Sequence, residues 1–232
     1  MPARRPAAAC GALLIALVVP AAADAATFTT PLKPCYVTAG TAANKQSEGF
    51  AVAAGGFGVN STVALAIDGS PVEGGEALQA DAAGDLVLPN LVPAPWIKSG
   101  HRDFTVTLTD NVAPGNVATA TSKVTALAVD VDPRVAKPSA KVRFTGSGFT
   151  AAAPVFAHYV RGGKLRKTVR MARTPGVCGT WSAKRKQIPV REAKTGLWTV
   201  QFDQAQRYRN GRTGGVKGVY VRLGINVRLV RP

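Results

Sequence analysis

Histidine, cysteine and acidic residues are scarce in this chain, and each scarcity removes a class of function. Two histidines and three cysteines occur in 232 residues. None of them falls in a paired spacing such as H-x-x-x-H or C-x-x-C, so neither a zinc site nor a histidine-based metallohydrolase is written in the sequence. Three cysteines are also too few for a disulfide-framed mini-protein. No second long apolar run follows the first 25 residues, so no spanning helix is expected in the mature chain. A sustained helical period is likewise missing. What is present is a hydrophobic fraction of 46%, too high for disorder, and 29 Lys+Arg against 13 Asp+Glu, a formal net charge of +16.

Residues 1–25 read as a cleavable secretory signal. Arg4 and Arg5 precede an apolar stretch over 7–19, Pro20 breaks it, and Ala23-Asp24-Ala25 supplies the small-residue cleavage pattern. The expected location is therefore secreted, extracellular or cell-envelope associated. Cys10 lies inside the apolar stretch rather than at its end, which makes it a poor acylation site. Cys35 and Cys178 remain in the exported chain, either as one disulfide or as two free thiols.

An internal comparison organises the rest. Gly56-Phe57 lies over Gly148-Phe149, and Val63, Leu65 and Ile67 lie over Val155, Ala157 and Tyr159. Gly84-Asp85-Leu86 matches Gly179-Thr180-Trp181, and 104–108 matches 198–202. The offset drifts only in the turns, as expected for a duplicated β unit whose loops tolerate insertion. Alternating segments predict strands over 35–38, 49–54, 62–67, 77–80, 85–88, 103–109 and 117–125, then over 141–145, 154–160, 165–171, 180–184, 197–203 and 216–228. The fold class expected is all-β: two tandem immunoglobulin-like β-sandwiches, over residues 26–130 and 131–232, after the signal.

Gly146-Ser147-Gly148-Phe149, following the alternation from Val142, resembles the second-strand signature of IPT/TIG-type immunoglobulin-like domains. The segment 79–86 is similar to the Ala-Asp-x-x-Gly-x-Phe hairpin of bacterial secreted immunoglobulin-like repeats, with Leu86 at the Phe position. The resemblance implies a fold and brings no catalytic residues with it.

The boundary falls near Asp130-Val131-Asp132-Pro133, where a strand runs almost directly into the next unit. Asp130 and Asp132 supply too few ligands for Ca²⁺ and read as a solvated turn. His101 reads as a surface turn residue and His158 as a strand residue with a satisfied ring. No cofactor, no metal and no enzyme activity is expected, although a triad assembled across the fold is recognised by geometry rather than chain order.

The charge is unevenly placed. Residues 27–130 hold five Lys+Arg and nine Asp+Glu, a net of −4, whereas 131–232 hold 22 and three, a net of +19. Such asymmetry suggests an anionic partner for the second half. Lys164, Arg166 and Arg170 share strand parity, with Lys167 close by, and a hairpin partner strand is expected to bring Lys184, Arg185 and Lys186 alongside. Arg207 and Arg209 flank Tyr208 in a basic loop. These nine cations are the candidate polyanion-binding residues. The function expected is a non-catalytic binding module contacting an anionic cell-wall polymer, with nucleic acid less favoured. The competing readings are a structural spacer, or a protein-interaction module that meets an acidic protein.

Overall fold

The computed structural model describes residues 25–173, 175–210 and 218–225. The expected signal, apart from Ala25, and Cys10 lie outside the described residues. The N-terminal part contains β1 (Thr27–Phe28), β2 (Cys35–Thr41), β3 (Asn44–Ser47), β4 (Gly49–Phe50), β5 (Ala53–Gly55), β6 (Thr62–Ile67), β7 (Ser70–Pro71), β8 (Leu78–Gln79), β9 (Leu86–Val87), β10 (Val92–Pro93), β11 (His101–Asp110) and β12 (Val117–Ala126). The C-terminal part contains β13 (Ala128–Asp132), β14 (Lys141–Ser147), β15 (Val155–Arg161), β16 (Lys164–Ala172), β17 (Trp181–Lys186), β18 (Gly196–Asp203) and β19 (Gly218–Ile225). The described helical structure is one 3-10 turn, Val177–Gly179. The fold is thus all-β, with a strand on each predicted segment, except that 49–54 breaks into β4 and β5, which join different sheets, and that 216–217 and 226–228 lie outside the described residues.

Each part wraps its own hydrophobic core. In the N-terminal part a sheet of order β3-β2-β12-β11-β6-β7 faces the short sheets β1-β5-β9 and β10-β4. Phe104, Val106 and Leu108 alternate inward along β11. Their period of two is what lets one face of the strand meet the core while the threonines between them stay outside. Tyr36, Phe50 and Phe104 meet with ring centroids 5.7–6.0 Å apart at the centre. The C-terminal part stacks β13-β14-β17 on β16-β15-β18-β19. First, second and fifth strands share one sheet; fourth, third, sixth and seventh share the other. That order departs from the constant-type immunoglobulin arrangement only in the fourth strand, which has crossed to the second sheet. Phe144, Trp181, Trp198, Val200 and Phe202 fill the space between.

The matched Gly-Phe segments agree in backbone detail. Gly56 and Gly148 both have positive φ, +88° and +83°. The following Phe57 and Phe149 donate their N–H groups to the carbonyls of Gly84 and Gly179 in turn. Gly84 and Gly179 are themselves left-handed, and a Cβ on either would collide with the backbone of Phe57 or Phe149. Glycine is therefore required twice at equivalent points. One expectation needs correction: segment 79–86 is not a hairpin. β8 pairs with β6 whereas β9 pairs with β5, so the turn crosses between sheets. Asp81 shapes it by accepting from the N–H groups of Ala83 and Asp85. Those bonds hold the Asp81 carboxyl below its ordinary range.

The two cores are joined tightly. Only Leu127 separates β12 from β13, and its N–H donates to Thr38 at 2.7 Å while Ser147 Oγ donates to the Ala126 carbonyl at 2.7 Å. Asp130 and Asp132 sit on strand β13 rather than in a turn, and Asp130 meets Arg134 at 3.4 Å. Cys178, in the 3-10 turn, is bonded to Cys35 at the start of β2 across 143 residues. Closing a loop of that length removes about 5 kcal/mol of chain entropy from the unfolded state. Thiol titration of the unfolded, unreduced chain from residue 26 should detect no free thiol, and Cys35→Ser with Cys178→Ser should lower the denaturant midpoint. Two titratable thiols would contradict the bond.

Candidate ligand-contact surface of the C-terminal sandwich

The seven cations expected on one hairpin do not share it. The hairpin partner of β16 is β15, whereas β17 pairs with β14 in the opposite sheet. β16 and β17 are the edge strands on the same side of the sandwich. Lys164, Arg166, Lys167 and Arg170 therefore line one edge, and Lys184, Arg185 and Lys186 line the other.

Shared parity along β16 also fails, because the ladder shifts register between Tyr159 and Val160 and leaves Arg166 without an opposite residue. Lys164 and Lys167 stand opposite Arg161 and Tyr159, whose side of β15 faces the other sheet. Arg170 stands opposite Phe156, on the outer face. On β17, Lys184 and Lys186 lie directly across from Arg143 and Lys141, all four exposed. Arg185 shares the core-facing parity of Trp181 and Ala183 and is exposed at the strand end. Its charge acts on Tyr159, whose buried hydroxyl finds no hydrogen-bond partner among the described residues. Burial pushes that phenol well above its ordinary value, and the charge of Arg185 only partly opposes the rise.

Sequence reasoning missed Lys141 and Arg143. The alternation Lys141-Val142-Arg143-Phe144 could have placed them outside, since Val142 and Phe144 are core residues. Like charges directly opposite on a ladder destabilise it. Among the described residues none of these eleven cations forms an ion pair. The acids of the C-terminal part offer little compensation: Glu192 meets Arg191, Asp203 meets His158, Asp130 meets Arg134, and Asp132 alone stands across the ladder from one of these cations, Arg143.

Arg207 and Arg209 lie on the segment after β18, which folds back over the outer face of β15 and β18. His158, fully buried, anchors it. Its Nε2 faces two acceptors, Asp203 Oδ1 at 3.2 Å and the Ala205 carbonyl at 3.0 Å, so Nε2 carries a proton. Nδ1 lies 2.9 Å from Thr168 Oγ1. Gln201 Nε2 donates to Asp203 Oδ2 at 2.6 Å and to the Arg209 carbonyl at 3.2 Å. The Tyr208 ring packs 5.6 Å from the imidazole. Thr168, His158 and Asp203 follow one another as hydroxyl, imidazole and carboxylate, but the ring is sealed beneath the segment and its bonds hold that segment down. Residues 211–217, the rest of the expected basic loop, lie outside the described residues. His101 is exposed at the start of β11 rather than in a turn.

Beside this cluster is a depression of about 460 Å³ lined by Pro154, Phe156, Thr168, Arg170 and Gln206. Among the described residues no group of three metal-ligating side chains occurs, and no helix is long and apolar enough to cross a membrane.

No protein-family model and no curated protein matches the chain. Solved structures that resemble it do so faintly. A tetra-tandem repeat from the extending region of a large adhesion protein is 13% identical, with a TM-score of 0.29, over 83% of this chain and 49% of that one. Bovine butyrophilin is 14% identical, with a TM-score of 0.31, over 87% of this chain and 98% of that one. Cadherin domains 1–4 of protocadherin gamma B7 are 12% identical, with a TM-score of 0.25, over 87% of this chain and 49% of theirs. The chain spans about half the length of the adhesion-repeat and protocadherin structures it matches.

Burial alone would raise the Asp203 carboxyl, but hydrogen bonds from the His158 ring, the Gln201 amide and the Ala205 N–H outweigh it and hold the group below its ordinary range. A carboxyl lowered on folding stabilises the protein above its unfolded value, and the contribution is lost as pH falls through the folded value. Stability should therefore decline below about pH 4. Asp203→Asn should flatten that decline while lowering stability at pH 7, as read by urea midpoints across pH.

Proposed function

We propose that the chain is a non-catalytic, exported binding module of two immunoglobulin-like domains that divide at Leu127, of which the second contacts an anionic polymer at the cell envelope or outside the cell. The observation that carries this reading is the set of unpaired cations along β14, β16 and β17. Placing Lys141 opposite Lys186 and Arg143 opposite Lys184 costs stability that a bound polyanion would return. The glycine-phenylalanine turns, with their repeated backbone bonds, support the IPT/TIG-type kinship, and the N-terminal pattern of residues 1–25 supports export.

A second reading has its own support. Lysine on edge strands is a common device against edge-to-edge pairing, and β16 and β17 are both edges. On that reading the chain is a spacer or a protein-interaction module and the cations serve only to keep its edges apart.

The readings differ in a salt series. On an immobilised polyanion the chain should be retained at low salt and released steeply as salt rises. Charge reversal at Lys184, Arg185 and Lys186 should lower apparent affinity at least about tenfold, since fully exposed cations act mainly through long-range attraction. Retention unchanged by the substitutions would refute the polymer contact and leave the edge-protection reading.

A further inference from the structure

We infer that the depression between β15, β16 and the segment after β18 is a subsite for a carboxylate-bearing pyranose, so that the anionic polymer is an acidic polysaccharide. This rests on the polymer-binding reading and names its ligand class.

Phe156 stands half-buried on the outer face, between Arg170 on β16 and Asp203 on β18. It gives the depression an apolar floor on which the C–H face of a sugar ring can lie. Arg170 is exposed, has no ion-pair partner among the described residues and lines the depression, where a guanidinium can take a carboxylate through two parallel N–H bonds. Gln206 is exposed on the opposite rim and offers both a donor and an acceptor.

Thr168 lines the depression as well, its Oγ1 held 2.9 Å from His158 Nδ1. A ligand that uses the whole site lays a sugar face on Phe156 and presents an anion to Arg170 from the same ring, with its hydroxyls toward Thr168 and Gln206. A chain of linked phosphates has the anion without the sugar face, and a neutral sugar has the face without the anion. A uronic acid has both on one ring. The nearest acid, Asp203, is buried and already accepts from His158, Gln201 and Ala205, so its charge is turned away from the rim. The depression, at about 460 Å³, lies within the roughly 300–1,000 Å³ usual for small-ligand sites.

Calorimetric titration of the intact chain with trigalacturonic acid, galactotriose and inorganic polyphosphate tests this, using Arg170→Gln and Gln206→Ala, both at exposed positions, and Lys184→Gln as a control on the other sheet. Trigalacturonic acid should bind at least about tenfold tighter than galactotriose, and Arg170→Gln should remove that advantage, as expected for one charge-assisted contact. Gln206→Ala should weaken both sugars, and Lys184→Gln should weaken only polyphosphate. Polyphosphate binding without trigalacturonic acid binding, or trigalacturonic acid binding indifferent to Arg170→Gln, overturns the subsite and leaves the broader polymer reading standing. Sugar binding through Arg170 with no polyanion retention keeps the subsite and overturns the broader reading.

Discussion

Leu127 is the one residue between the last strand of the first core and the first strand of the second, and most of the molecule follows from that economy. With no linker to absorb motion, the carbonyls of Thr38 and Ala126 serve as acceptors for groups on the far side of the junction. The parallel pairing of β2 with β12 brings Cys35 beside the junction, where the turn carrying Cys178 meets it. Gly148 belongs to the same arrangement, since a Cβ there would press on the Leu127 backbone. The glycine that marks the repeat is thus also the glycine that lets the two units approach.

Much of this was legible from residue patterns, for a physical reason. Alternation along a half-buried strand is enforced at every second residue, so Phe104, Val106 and Leu108, or Trp198, Val200 and Phe202, declare both the strand and its inner face. Glycine is enforced at Gly84 and Gly179 too, because a Cβ there would meet both a left-handed backbone and the main chain of Phe57 or Phe149, and so the two mark a similar turn. Strand partners are another matter. Whether β17 pairs with its neighbour in sequence or crosses to β14 depends on tertiary packing, and the turn around Gly84 shows the same ambiguity in the N-terminal part.

The candidate surface was legible as composition and not as geometry. The basic half was evident from counting, but one bulge at Arg166 moved Lys164 and Arg170 to opposite faces, and parity arguments cannot see a bulge. Lys141 and Arg143 were overlooked because they belong to a strand named for its core residues. The cluster of His158, Gln201 and Asp203 joins residues on two strands and a returning segment, and nothing local ties His158 to Asp203 45 residues away. The structure separates the cations facing open solvent on the three-stranded sheet from Arg170, which lines a depression on the four-stranded one.

On the proposed reading, positive charge on the second sandwich, and not elsewhere, meets an anionic polymer. Amide hydrogen exchange of the intact chain with and without polygalacturonate probes that contact strand by strand. Exchange should slow in β16, β17 and residues 204–210, with β2, β6 and β11 unchanged; protection confined to the N-terminal sandwich, or none anywhere, would overturn the proposed contact.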